Sequence, residues 1–158
     1  MGKTLHEAAR EGDITQVRAL LEKKWWRPAP DVNAIDKWGC TPLHYAVESG
    51  SREVFELLLS NGADIQAVNR FADMPVHNAA REGRTEMVAL LLDKGADINA
   101  RGTEGATVLR MAAREGHAEL VKLLLARGAD KTLADKEGKT PVEHALDMGH
   151  KSVADLLG

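Results

Sequence analysis

The chain has 158 residues, 44% hydrophobic and 28% charged, a balance suited to one folded domain rather than a disordered segment. Its 21 basic and 24 acidic residues leave a formal charge of −3, which argues against a nucleic-acid or membrane-surface partner. A single cysteine, Cys40, excludes an intramolecular disulfide framework, and no apolar run approaches the ~20 residues of a spanning helix.

In chain order, GKTLHEAAREG (2–12) reads as a short helix ending at Gly12, and VRALL (17–21) begins the apolar stripe of a second. KKWWRPAP (23–30) follows, with Trp25 and Trp26 adjacent and Pro28 and Pro30 blocking a helix. DKWG (36–39) is a tight turn. CTPLHYAVESG (40–50) then predicts a helix over about 42–49, with Thr41 as N-cap, Pro42 in the first turn and Gly50 closing it. Val54, Leu57 and Leu58 mark the next helix, which Gly62 ends. DMPVHNAAREG (73–83), ATVLRMAAREG (106–116) and KTPVEHALDMG (139–149) repeat the first pattern at offsets of 33 residues. FELLLSNGADIQA (55–67), VALLLDKGADINA (88–100) and VKLLLARGADKTL (121–133) repeat the second, and VADLLG (153–158) shortens it. The first copy lies 38 residues before the second, so KKWWRPAP belongs to a five-residue enlargement between units. No unit can bury its apolar face alone, and stacking makes one continuous core. The units run over about 1–34 with the insertion at 24–30, then 35–67, 68–100, 101–133 and 134–158.

The motif D-x-x-G-x-T-P-L-H, carried by Asp36, Gly39, Thr41, Pro42, Leu43 and His44, followed by Gly62, Ala63 and Asp64, resembles the ankyrin repeat over almost the whole chain. The resemblance implies an all-α solenoid of about five helix-turn-helix units with short β-hairpin fingers. The first unit lacks a hairpin and the last has a clipped second helix, which look like that family's polar capping repeats. Ala72 stands where the family has a turn glycine, Met74 where it has a capping Thr, and Val108 and Arg110 where it has Pro and His; Ala72, Met74 and Val108 should cost local stability.

Catalytic and metal chemistry find no support. His6, His44 and His77 fall on successive units roughly 10 Å apart, too far to share a metal, and the resemblance makes them backbone-bonding struts. His117 and His150 read as structural residues opening the second helix. No Ser–His–Asp, HExxH or CxxC arrangement is present, so neither an enzyme nor a cofactor is expected. Cys40 is placed at an exposed hairpin tip.

Binding is the function that the resemblance implies. Trp38 and Phe71 hold equivalent turn positions, which in the family project beside the inner helices. Tyr45, Asn78 and Met111 lie one register along, and Met74, Arg70, Arg81, Glu82 and Arg110 rim them. With Trp25 and Trp26 in the enlarged first finger, five of the six aromatic residues share one expected surface. Trp25 and Trp26 either meet a partner or fold back onto the first unit. The expected partner is another folded protein, and the exposed aromatics could also pair two copies. The anomalies cluster on the recognition surface and the chain starts and stops flush with its caps. It therefore resembles an engineered or computationally designed ankyrin binder. The alternative is a natural inhibitor or adaptor: MPVHNAAREG is similar to a segment of ankyrin inhibitors of cyclin-dependent kinases. A natural protein of this composition would suit a reducing, cytoplasmic compartment.

Overall fold

A computed structural model describes residues 3–22 and 28–158. It is a stack of helix pairs: α1 (Leu5–Arg10) with α2 (Ile14–Leu21), α3 (Pro42–Ser49) with α4 (Arg52–Ser60), α5 (Pro75–Arg81) with α6 (Thr85–Asp93), α7 (Val108–Arg114) with α8 (Ala118–Ala126), and α9 (Pro141–Asp147) with α10 (Lys151–Leu157). The odd-numbered helices form an inner layer in which α1, α3, α5, α7 and α9 each touch the next. The even-numbered helices back them.

Small residues set the inner spacing. Ala8, Ala46, Ala79, Ala112 and Ala145 are fully buried, one per unit, so successive inner helices approach closely. The second helices contribute the bulk: Val17, Phe55, Val88 and Val121 share one register and all are fully buried. One cluster of these side chains runs the length of the stack, as quasi-one-dimensional packing requires.

Helix starts follow the chemistry of their caps. Thr4 Oγ1 accepts the Glu7 amide at 3.2 Å while the Glu7 carboxylate accepts the Thr4 amide at 2.7 Å. In the next two units a histidine does the glutamate's work. His44 Nδ1 accepts the Thr41 amide, and His77 Nδ1 accepts the Met74 amide, both at 3.1 Å. Met74 thus lacks a capping hydroxyl, yet its own amide is bonded. With Nδ1 accepting, each ring carries its proton on Nε2, which donates in His44 to the Asp73 carbonyl of the next unit at 3.2 Å and in His77 to the Ala100 carbonyl at the end of its own unit at 3.0 Å. His6 likewise donates from Nε2 to the Ala34 and Cys40 carbonyls. His6 and His44 thus lock one unit to the next, and His77 ties its helix to the last residue of its own unit.

The expected β-hairpins reduce to tight turns. Each tip is closed at its base by a backbone bond, the amides of Asp36, Asn69, Gly102 and Asp135 donating to the carbonyls of Cys40, Asp73, Ala106 and Lys139, with a second bond inside the turn from Gly39, Ala72, Gly105 and Gly138. Among the described residues the one ladder contact outside the helices is an isolated bridge between Arg101 and Thr107. Neighbouring tips are tied as well, the Arg70 amide donating to the Trp38 carbonyl and the Lys136 amide to the Glu104 carbonyl, both at 3.0 Å. The last unit is also less polar than a capping repeat, because Leu146 and Met148 on and after α9 are exposed.

Candidate functional site

The turn tips build the site from their second residue outward. In the first, second and fourth tips Asp36, Asn69 and Asp135 each fold Oδ1 back onto the amide two residues on, at 2.8–2.9 Å. That Asx turn fixes the intervening side chains outward. Trp38 and Phe71 therefore project side by side. Their rings stack with centroids 6.2 Å apart and planes inclined by 27°. They stay 48% and 52% exposed, which neither helix packing nor a hydrogen bond explains. The Lys37 ammonium lies 5.2 Å from the Trp38 ring centroid.

Two further apolar residues are exposed at the same tips. Ile35 and Val68 stand one position before the Asx residues and are exposed to 67% and 53%. Sequence reasoning passed over them. The signal was available: the same register holds Arg101 and Ala134, so large apolar residues occupy it in the first two tips alone. Beside them a cleft of about 520 Å³ opens between α1 and the first tip, lined by Glu7, Arg10, Ile35 and Trp38 among others.

Three expected contact residues lie elsewhere. Tyr45, Asn78 and Met111 are buried, at 5%, 3% and 5% exposure, and cannot meet a partner without the tips moving. The helix register was read correctly, but this register faces the root of the tips. Tyr45 donates its hydroxyl to Asp36 Oδ2 at 2.6 Å under the Arg10 guanidinium, 4.0 Å above its ring. Burial and the Asp36 bond push the phenol far above its usual range. Burial alone would raise the Asp36 carboxyl, but the Tyr45 hydroxyl and the Trp38 and Cys40 amides outweigh it and hold it below the ordinary value. His144, at the Tyr45 register of the last unit, repeats the motif, its Nε2 donating to Asp135 Oδ2 at 2.7 Å. Asn78 donates to the Glu48 carboxylate at 2.6 Å, and burial raises that carboxyl despite the bond. Cys40, expected at an exposed tip, is also buried, with Asn69 Nδ2 against its sulfur at 3.6 Å. Burial pushes its thiol up, away from reactivity.

The remaining expected residues divide. Arg70 and Glu82 are exposed, and Met74 is half-buried against the core. Arg81 pairs with buried Asp73. Arg110 reaches Asp135 Oδ2 at 3.2 Å, so it replaces the unit-to-unit histidine bond with an ion pair. Trp25 and Trp26 lie outside the described residues. Among those residues no group of three or more His, Cys, Asp or Glu could hold a metal, and no helix is long and apolar enough to cross a membrane.

Comparison with known proteins agrees with this architecture. The family described as "Ankyrin repeats (3 copies)" matches residues 2–69 and 76–158, and "Ankyrin repeats (many copies)" matches 53–92. The chain is similar to the 2-5A-dependent ribonuclease of Mus musculus, 46% identical over 61 residues, which are 38% of this chain and 8% of that protein. It is similar to osteoclast-stimulating factor 1 of Danio rerio, 38% identical over 56 residues, or 35% of this chain and 24% of that one. It is also similar to an ankyrin repeat and LEM domain-containing protein 1 homolog of Caenorhabditis elegans, 42% identical over 64 residues, or 39% and 8%. The match thus spans under a quarter of each relative's length.

Proposed function

Because this chain belongs to the ankyrin-repeat family, a scaffold for protein–protein interaction, we propose that it binds another folded protein through its first two turn tips. The observation that carries this reading is the stacked, half-exposed pair Trp38 and Phe71, with Ile35 in the cleft beside Trp38 and Val68 exposed at the second tip. Apolar side chains exposed at neighbouring tips, with Lys37 against the Trp38 ring and Arg70 bonded to the Trp38 backbone, match the centre-and-rim anatomy of a docking surface. The Asx turns and the Arg70–Trp38 backbone bond hold the tips in place before binding, which lowers the ordering cost of association.

The buried register supports the tips rather than contacting the partner: Tyr45 braces Asp36, and Asp36 orients Trp38. A designed binder and a natural adaptor or inhibitor domain would use this same surface. The net charge of −3, with no basic excess in the sequence, favours a protein over a nucleic acid. The test is affinity capture read by mass spectrometry. The wild-type chain, a Trp38→Ala/Phe71→Ala double variant and a Glu56→Ala/Lys94→Ala variant of the outer helices serve as baits. Proteins kept by the wild type and the outer-face variant but lost by the tip variant support the reading. Proteins kept by the tip variant and lost by the outer-face variant overturn it.

A further inference from the structure

The open end of the stack carries an apolar stripe that every other unit covers. Leu146 lies one turn after Val142 on α9. Its register holds Ala9, Val47, Ala80 and Ala113 in the earlier units, and all four are fully buried. Ala9 belongs to the first unit, whose inner helix packs on that of the second unit alone. What covers this register is therefore the following unit. In the fifth unit the register holds a larger side chain, Leu146, and it is 56% exposed. Val142 obeys the same rule: Leu5, Leu43, Val76 and Leu109 at its register are buried, whereas Val142 is half-buried.

The charged residues of α10 continue that face. Arg52, at the Lys151 register, reaches the Glu86 carboxylate of the following unit at 3.1 Å. Glu56, at the Asp155 register, lines a groove with Leu90 and Lys94 of the following unit. Lys151 and Asp155 are exposed, and neither has an ion partner among the described residues. The end face thus sets an apolar stripe on α9 beside a cation and an anion one turn apart on α10.

This face is complementary to itself. A two-fold axis lying in the face, at right angles to the helices, places α9 antiparallel on the α9 of a second copy and α10 antiparallel on its α10. Leu146 then packs against Val142 of the second copy, and Lys151 meets Asp155 of the second copy. One patch serves both sides, as an isologous contact requires. The other end of the stack is a poorer match. Among the described residues no large apolar side chain of α1 or α2 is exposed, and Thr15 stands at the register where Glu86 answers Arg52. We infer that the chain pairs end to end with a second copy of itself through the α9–α10 face. The inference does not rest on the tip reading: Trp38 and Phe71 belong to the second and third units and stay open to another protein.

Sedimentation velocity of the full chain, over a series from micromolar to millimolar concentration, reads the pairing. The mass should rise from 17.2 kDa to twice that value and stop there. Leu146→Glu should weaken association at least about tenfold, with the fold unchanged by circular dichroism because Leu146 is exposed. Lys151→Asp and Asp155→Lys should each weaken it, and the two together should restore it, because each charge again faces its opposite. A mass fixed at 17.2 kDa throughout, a mass that climbs past the dimer, or association unchanged by Leu146→Glu would each overturn the proposal. A charge-swapped double variant no better than its single variants would overturn it too. So would loss of the dimer in Trp38→Ala/Phe71→Ala, which would place the contact at the tips.

Discussion

The Tyr45 hydroxyl donates to Asp36 Oδ2 at 2.6 Å, beneath the tip that carries Trp38. An aromatic residue that looks like a contact anchor is therefore a strut. Tyr45→Phe removes one bond to an ionised carboxylate while Asp36 keeps its two amide bonds. We expect a loss of about 1–3 kcal/mol in urea unfolding. Partner affinity should fall far less than on truncating Trp38, because the ring never reaches the surface.

The histidine struts make stability depend on pH. Burial depresses His44 and His77 below 6.5, against the raising effects of their backbone bonds and of Asp73; His6 and Arg81 act with the burial. The unfolded chain therefore binds more protons in this range. Their contribution is fully present above about pH 6.5 and is lost as pH falls from there towards each ring's lower folded value. The urea midpoint should fall between pH 7.5 and pH 5, at up to about 1.4 kcal/mol per pH unit for each ring. His44→Gln should flatten that slope; an unchanged slope in both His44→Gln and His77→Gln would refute the assignment.

Gly102 stands where the other tips have an Asx residue, and this tip is tied instead by Asp73 of the preceding unit, at the amide one residue on. Asp73 Oδ1 accepts the Thr103 amide at 2.8 Å. A Cβ at Gly102 would collide with that same oxygen and lie 3.0 Å from the His77 ring. Gly102→Ala should cost about 1–3 kcal/mol through this clash. A crystal structure of the variant should show Asp73 displaced and the bond to Thr103 opened.

Ala72 has φ of 66°, a left-handed conformation that its Cβ disfavours. Ala72→Gly should raise unfolding stability by about 1 kcal/mol, measured by urea denaturation, with the Phe71 tip otherwise unchanged.

The repeat and its helix boundaries were legible because at least two of the capping, proline and small-residue signals recur in each unit, even where Met74 or Val108 breaks one of them. The helix over 42–49 matches α3, Pro42–Ser49. What periodicity could not supply was the direction of Tyr45, Asn78 and Met111. One register of a helix serves either the root or the open side of a tip, depending on how the Asx turn folds over it. Ile35 and Val68 were missed for a related reason: a lone apolar residue before a turn carries no periodic signal. The Asp73–Thr103 and Arg110–Asp135 contacts each join side chains at registers where the pattern is broken. No repeat motif announces them.

The central claim is that Trp38 and Phe71 are held outward for a protein partner. It is tested most directly by measuring, for one captured partner, the affinities of wild type, Trp38→Ala and Phe71→Ala alongside their thermal midpoints. Each truncation should weaken binding by about 2 kcal/mol or more while the midpoint stays nearly unchanged. Undiminished affinity with a lowered midpoint would make these rings part of the fold's own packing and contradict the account.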